Sequence, residues 1–326
     1  MKKYFIVLSG VLFFSCTDSG TTNDASNNVN FKNEMRNFVI GISQYAKSNN
    51  SNFAVIPQNG IELVTENGET NGSLSTNYLN AIDGNGQEDL FYGYDTDDVA
   101  TTSETTSYLN DYLAISKNAG NKILTTDYCS TTSKMASSYS QNATLGYISY
   151  AANQRSLNNI PTFPVAIQNE NNSVVTNLNQ AQNFLYLINA ENYATKIQFI
   201  NAVIATNYDA LIMDLYFNDG TAFTASEINQ LKNKANGGKR IVISYMSIGE
   251  AENYRSYWNS SWNTTKPNWI DAENPDWPGN FKVKYWNTEW QNIIYGNDNS
   301  YLKKILNAGF DGVYLDIIDA FEYYEN

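Results

Sequence analysis

Eight short apolar runs, helical patterns between most of them and polar residues at their C-terminal ends predict an α/β fold for this 326-residue chain. The fold they point to is a closed (β/α)8 barrel of parallel strands. The runs are 53–57, 81–84, 122–126, 146–150, 184–188, 210–215, 240–247 and 312–318. Helical spacing of apolar residues falls between most of them, as at 34–47 and at 226–235, where Gly237 and Gly238 supply a stop signal. A closed barrel of this kind uses about 250 residues, which suits 31–326. The rival, a doubly wound open sheet, is disfavoured because no GxGxxG phosphate loop is present.

The strand ends carry polar groups in a consistent place. In chain order they are Gln58-Asn59, Gln87-Glu88-Asp89, Asp127-Tyr128, Asn153, Asn189, Asp214 with Tyr216, Ser247 with Glu250, and Asp316 with Asp319. Side chains at the C-terminal ends of barrel strands face one shared mouth. The chain has no histidine, which removes Ser-His-Asp and Cys-His catalysis and imidazole bases. Acid–base work therefore falls to Asp, Glu, Tyr or Lys, and several carboxyls in one mouth point to a pair acting on an acetal.

Composition agrees with that chemistry. The 33 acidic residues against 20 basic ones make nucleic acid and anionic membranes poor partners. The 6 Trp, 24 Tyr and 15 Phe are numerous enough to serve both a core and sugar-stacking surfaces. Tyr92, Tyr245, Tyr285 and Trp286 are the candidate platforms. Asp319, Glu250, Asp214, Gln58 and Asn59 are candidate substrate-binding residues, each with a structural alternative: a helix cap for Asp319, a polar network for Asp214, a turn for Asn59-Gly60. Glu252 is expected to pair with Arg255 at i+3. No metal and no cofactor is expected, since "DGNGQED" lacks the spacing of a calcium loop.

The opening "MKKYFIVLSGVLFFSC" has a positive start, a short apolar stretch and a small residue before cysteine. It is similar to a bacterial lipoprotein signal over 1–15, with Cys16 as the lipidated residue; an ordinary cleaved signal peptide is the alternative. Residues 16–30 are polar and aperiodic, a tether on the order of 20 Å in reach. The expected location is the bacterial cell envelope, with membrane contact only through the lipid and the folded part a monomer.

Five longer motifs carry a family resemblance: "YMSIGEAENYRSYW" (245–258), "ENPDWPGNFKVKYWNTEW" (273–290), "GFDGVYLDIIDAFEYY" (309–324), "VIPQNG" (55–60) and "IDGNGQEDLFYG" (82–93). They resemble glycoside hydrolase family 114, the endo-α-1,4-polygalactosaminidase family, which includes barrel proteins once labelled cysteinyl-tRNA synthetase-like. The synthetase label does not fit a chain without histidine. The resemblance implies a retaining endo-hydrolase with Asp316 as nucleophile and Glu88 as acid/base, acting on a cationic galactosamine polymer. Asp316 is then expected to be ionised and Glu88 to hold a proton. The alternatives are a hydrolase of another α-linked polysaccharide and a non-catalytic carbohydrate-binding lipoprotein. In the family the motif at 309–324 precedes those at 55–60 and 82–93. The resemblance therefore implies a circular permutant: 31–155 supplies barrel strands 5–8, 156–183 joins the old ends, and 184–326 supplies strands 1–4. Asn326 is expected near Phe31.

Overall fold

The computed structural model describes residues 29–325. The expected signal at 1–15, Cys16, most of the tether and Asn326 lie outside the described residues. The order of elements is α1 (Phe31–Asn49), β1 (Ala54–Pro57), α2 (Thr76–Ala81), β2 (Gly84–Glu88), α3 (Ser103–Asn118), β3 (Lys122–Tyr128), α4 (Thr132–Leu145), β4 (Ile148–Ala152), β5 (Phe184–Tyr186), α5 (Lys196–Ile204), β6 (Ala210–Met213), α6 (Ala225–Leu231), β7 (Ile241–Ser247), β8 (Glu250–Glu252), β9 (Ile270–Glu273), β10 (Asn280–Val283), α7 (Thr288–Ile294), α8 (Tyr301–Asn307), β11 (Gly312–Asp316) and α9 (Phe321–Glu325).

Local sequence explains the longest helix. Asn30 caps α1 by accepting the backbone N–H of Asn33 at 2.9 Å. Met35, Phe38, Val39, Ile42 and Ala46 then recur at helical spacing and are all buried. α6 starts on a reciprocal capping box between Thr224 and Glu227. It ends at Leu231, short of the predicted 235, because Lys232 caps it in right-handed geometry. Gly237, with φ 88°, belongs to the turn that follows.

Eight strands run parallel in two sheets. One has the order β1-β11-β7-β6-β5 and the other β2-β3-β4. A parallel bridge between Gln58 and Gly86 joins β1 to β2. Spatial order therefore follows chain order from β1 to β7 and returns through β11 to β1. Between β4 and β5 no ladder forms among the described residues. The rings of Tyr150 and Phe184 meet there at 5.8 Å, and the amides of Asn158, Asn159 and Asn192 bridge the neighbouring loops.

Two strand expectations are corrected. The run at 81–84 is not a strand: 76–81 is helix, and β2 begins at Gly84. Its sequence, Gly-Asn-Gly-Gln-Glu, has little β propensity, and glycine is required at 86. A Cβ there would lie 2.0 Å from the Tyr314 hydroxyl of β11. The second correction is a three-stranded antiparallel sheet, β8-β10-β9, planted beyond the end of β7.

The alternation of each strand sorts its residues between the interior and the surrounding helices. On β11, Gly312, Tyr314 and Asp316 share one face; on β2, Gly84, Gly86 and Glu88 do. Tyr314 meets Tyr186 of β5 edge-on at 5.2 Å, so aromatic rings fill the space between β11 and β5 below the two acids. At the opposite end, Asp209 precedes β6 and pairs with Lys234, both side chains fully buried. Asp209 also accepts the backbone N–H of Gln182 at 2.8 Å and the Asn171 amide at 2.9 Å.

The two ends of the described chain are neighbours. The rings of Phe31 and Tyr324 stack at 5.5 Å, Lys32 pairs with Glu325, and Tyr285 donates its hydroxyl to the Phe31 carbonyl at 2.9 Å. No helix among the described residues is long and apolar enough to cross a membrane.

Candidate active site

The ends of β11, β1 and β2 form one contiguous arc of the mouth, and each turns sharply in the same way. Asn59, Asp89 and Ile317 have φ of 60°, 60° and 59°. Asn and Asp tolerate this left-handed region, but a β-branched residue there is an outlier that costs about 1–2 kcal/mol. Ile317 is held by its surroundings: a Cβ on Gly249, at the base of the rim sheet, would lie 2.2 Å from the Ile317 carbonyl oxygen. Strain of this kind is concentrated at functional sites.

Asp316 is the last residue of β11 and points inward. Tyr245 of β7 donates its hydroxyl to Oδ2 of Asp316 at 2.6 Å. Burial pushes the Asp316 carboxyl up to about 7, the charge of Glu88 adds to the rise, and the Tyr245 hydrogen bond opposes it. This corrects the expectation that Asp316 is simply an ionised carboxylate at neutral pH: in this apolar interior it holds its proton up to about neutrality.

Glu88 ends β2 on the inward face. Tyr128 of β3 donates its hydroxyl to Oε1, and Asn59 donates its amide to Oε2 at 3.1 Å. The Asn59 side-chain oxygen also accepts the Glu88 backbone N–H at 3.1 Å and the Gln87 amide at 3.2 Å. Asn59 therefore orients Glu88, and its left-handed backbone makes that geometry possible. Gln58 accepts the Tyr186 hydroxyl at 2.8 Å and is buried below the mouth. Both phenols facing the acids stay protonated, by burial first and the facing carboxylate second.

The remaining candidates separate into mouth and support. Asp319 lies in a short 3-10 turn directly after Asp316, and its charge contributes to the raised Asp316 carboxyl. Asp214 is taken up by Arg255, which donates to both its oxygens at 2.8 and 2.7 Å and also pairs with Glu252 at 2.5 Å. Glu250 is fully buried at the base of the rim sheet, paired with Lys282 at 2.6 Å and accepting the Asn274 amide at 2.8 Å. Trp286 packs in the aromatic seam with Phe31, Tyr285 and Tyr324, away from the carboxyl pair's own partners. Tyr92 packs beside a separate small cluster with Cys129, Met135 and Tyr139. Asp127 is a buried anchor: it accepts the backbone N–H groups of Phe91 and Tyr92 at 2.8 and 3.2 Å, and the Ser138 hydroxyl at 2.6 Å. Among the described residues, no group of three or more Cys, Asp or Glu side chains is placed to hold a metal ion.

Sequence reasoning missed Arg155. It follows β4 in an Asn-rich turn and lies with its guanidinium 3.8 Å above the Tyr128 ring. It pairs with Asp89 at 2.9 Å and with Asp97 at 2.6 Å. One signal was available: Arg155 is the single charged residue between Lys134 and Glu170.

Comparison with known proteins adds a family. A family model described as Glycoside-hydrolase family GH114 matches residues 168–326. An uncharacterized protein of Methanocaldococcus jannaschii is 40% identical over 153 residues, 46% of this chain and 41% of that protein. Uncharacterized proteins of Deinococcus radiodurans and Thermotoga maritima are 40% identical over 127 residues and 38% over 122 residues. They cover 39% and 37% of this chain, and 38% and 36% of their own lengths. The chain thus spans about two fifths of the length of the curated relatives it matches. Asp316, Tyr245, Asp319 and Glu250 fall inside the matched segment; Glu88, Asn59 and Gln58 fall outside it. Residues 168–326 are thus similar to glycoside-hydrolase family GH114.

Proposed function

We propose that this protein is a retaining endo-glycoside hydrolase that cleaves α-1,4-linked galactosamine polymers with Asp316 and Glu88. The observation that carries the reading is that two inward carboxyls share one mouth, each facing a phenol donor. Burial, together with the charge of Glu88, raises Asp316 to about 7. Near neutral pH the Asp316 carboxyl therefore stands close to its titration midpoint, and a pair of carboxyls in one mouth is what double displacement at an acetal uses. In the first step an Asp316 oxygen bonds to the anomeric carbon as the glycosidic C–O bond breaks, and Glu88 gives its proton to the leaving oxygen. In the second, water attacks the same carbon, Glu88 takes its proton, and the Asp316 ester is released. Tyr245 stabilises the Asp316 carboxylate whenever it is ionised, and Asn59 holds Glu88 at its station.

The polymer assignment rests on the family and on charge. An exported acidic protein attracts a polycation, and partly de-N-acetylated galactosamine chains carry ammonium groups. We further propose that the eight parallel strands close into a barrel whose order is circularly permuted. The neighbouring chain ends and the cyclic strand order support this. The opening residues support attachment to the cell envelope through Cys16.

The test is incubation of the purified protein with partly deacetylated α-1,4-galactosamine oligomers, read by mass spectrometry, with D316N and E88Q alongside. Shortened oligomers from the wild type, lost in both variants, are expected. Azide added to an Asp316→Gly variant should yield a glycosyl azide of inverted configuration, and added to Glu88→Ala one of retained configuration. The opposite pattern would exchange the roles. Binding without cleavage in all three proteins would leave a carbohydrate-binding protein.

A further inference from the structure

We infer that Arg155 is a positioning residue for Glu88, acting through the face of the Tyr128 ring and through the fork it forms with Asp89. This inference rests on the reading of Glu88 as the proton donor. Arg155 does not touch Glu88; it reaches it by two independent routes.

The first route is the phenol. The guanidinium lies 3.8 Å above the Tyr128 ring, and the hydroxyl of the same ring donates to Glu88 Oε1. A cation over the face draws electron density from the ring and from its oxygen, so the O–H becomes a stronger donor. A planar guanidinium can lie flat on the ring, and it keeps its charge at every working pH.

The second route is the backbone. Asp89 directly follows Glu88 and sits in the left-handed region at φ 60°. Its two oxygens accept from Arg155 Nη2 at 2.9 Å and Nη1 at 3.3 Å. Arg155 Nη2 also donates to the Gly93 carbonyl at 2.9 Å, and Nε donates to Asp97 at 2.6 Å. The groups facing the guanidinium are thus two carboxylates, one carbonyl and one phenol. Pinning Asp89 fixes the turn that ends β2 and hence the direction in which Glu88 leaves the strand. An arginine spent on surface solubility would make neither the flat ring contact nor the paired fork.

The experiment compares R155M, R155K, Y128F and the double variant R155M/Y128F for hydrolysis of galactosamine oligomers. R155M should lower kcat by about 10- to 100-fold, as loss of an orienting partner commonly does, with KM within about 2-fold. R155K should recover little, because it keeps the charge and loses the fork. In the Y128F background the same substitution should cost several-fold less than in the wild type, since the phenol route is already gone and only the Asp89 route remains. A full, multiplicative loss on Y128F, or a change in KM alone, overturns the inference. A second readout needs no substrate. With 3-fluorotyrosine at position 128, the fluorine resonance should respond to E88Q when Arg155 is present and respond at most half as much after R155M. An unchanged response overturns the coupling. If the wild type cleaves nothing while the fluorine response is lost on R155M, the hydrolase reading fails and the positioning stands. If the wild type cleaves and neither readout moves, the positioning fails alone.

Discussion

At the floor of the sheets, the end where the strands begin, Asp209 is fully buried against Lys234 and takes hydrogen bonds from a backbone N–H and an amide. At the mouth, Asp316 is buried with a phenol for a partner and another carboxyl as a neighbour. Both ends remove an acid from water, and the cost of doing so is met in one place and left standing in the other. The floor neutralises its charge within an ion pair, the arrangement that makes a buried charge tolerable. The mouth supplies donors that orient the acids without a cation against Asp316. Arg155 lies over the ring of Tyr128, whose hydroxyl meets Glu88, and is not paired with Glu88 itself. The difference teaches that burial alone does not identify a working acid; the missing counter-charge does.

The comparison can be broken most severely at Asp316. D316N should lower hydrolysis by at least about 10³-fold while leaving the protein no less stable. The sign of its pH dependence follows from the raised carboxyl. The folded state keeps a proton that the unfolded chain releases near 4, so wild-type stability falls as pH rises from about 4 to about 7. D316N removes that slope, and its melting temperature at pH 8 should exceed that of the wild type; a lower one would contradict the account. The floor should answer in the opposite way. K234M leaves Asp209 buried and unpaired and should cost about 3–5 kcal/mol of stability, with kcat per folded molecule unchanged, as read by urea unfolding and an active-site-normalised assay.

Two smaller effects sharpen the contrast. Gly249→Ala forces a methyl toward the Ile317 carbonyl oxygen and should cost about 1–3 kcal/mol, accompanied by loss of activity because the turn after Asp316 must shift. An equal loss of stability with full activity would separate the strained turn from the chemistry. Tyr245→Phe removes the hydrogen bond that opposes the rise of the Asp316 carboxyl. The acidic limb of the pH–rate profile should move to higher pH, with a loss of about 10-fold in rate at pH 7. An unmoved limb would show that another group controls it.

Much of this molecule is legible in its residues, and the illegible parts share a cause. Val313, Leu315 and their equivalents announce β strands because both faces of these parallel strands are buried. Glu252 and Arg255 pair as their i, i+3 spacing implies. β2 is hidden because Gly86, on its inward face, admits Tyr314, so the same packing erases the apolar signal there. The rim strands β8, β9 and β10 are three or four residues each and include Glu250, Glu252, Asp271 and Lys282, which read as loop. The raised Asp316 carboxyl is not legible because side-chain type is local while desolvation is set by the whole mouth. Arg155 escaped notice because its partners, Tyr128 and Asp89, are distant in sequence and meet only when β2, β3 and β4 align.

The open edge between β4 and β5 has a mechanical consequence. Elsewhere around the strands, backbone ladders or, between β1 and β2, one bridge cross each interface, and the ladders resist sliding along their whole length. Between β4 and β5 the load passes through one aromatic contact, a few asparagine amides and the backbone bond from Asn189 to the Leu157 carbonyl beyond the strands. A molecule stretched across this interface parts there first, as a split ring opens at its cut, while the ladders on either side stay whole.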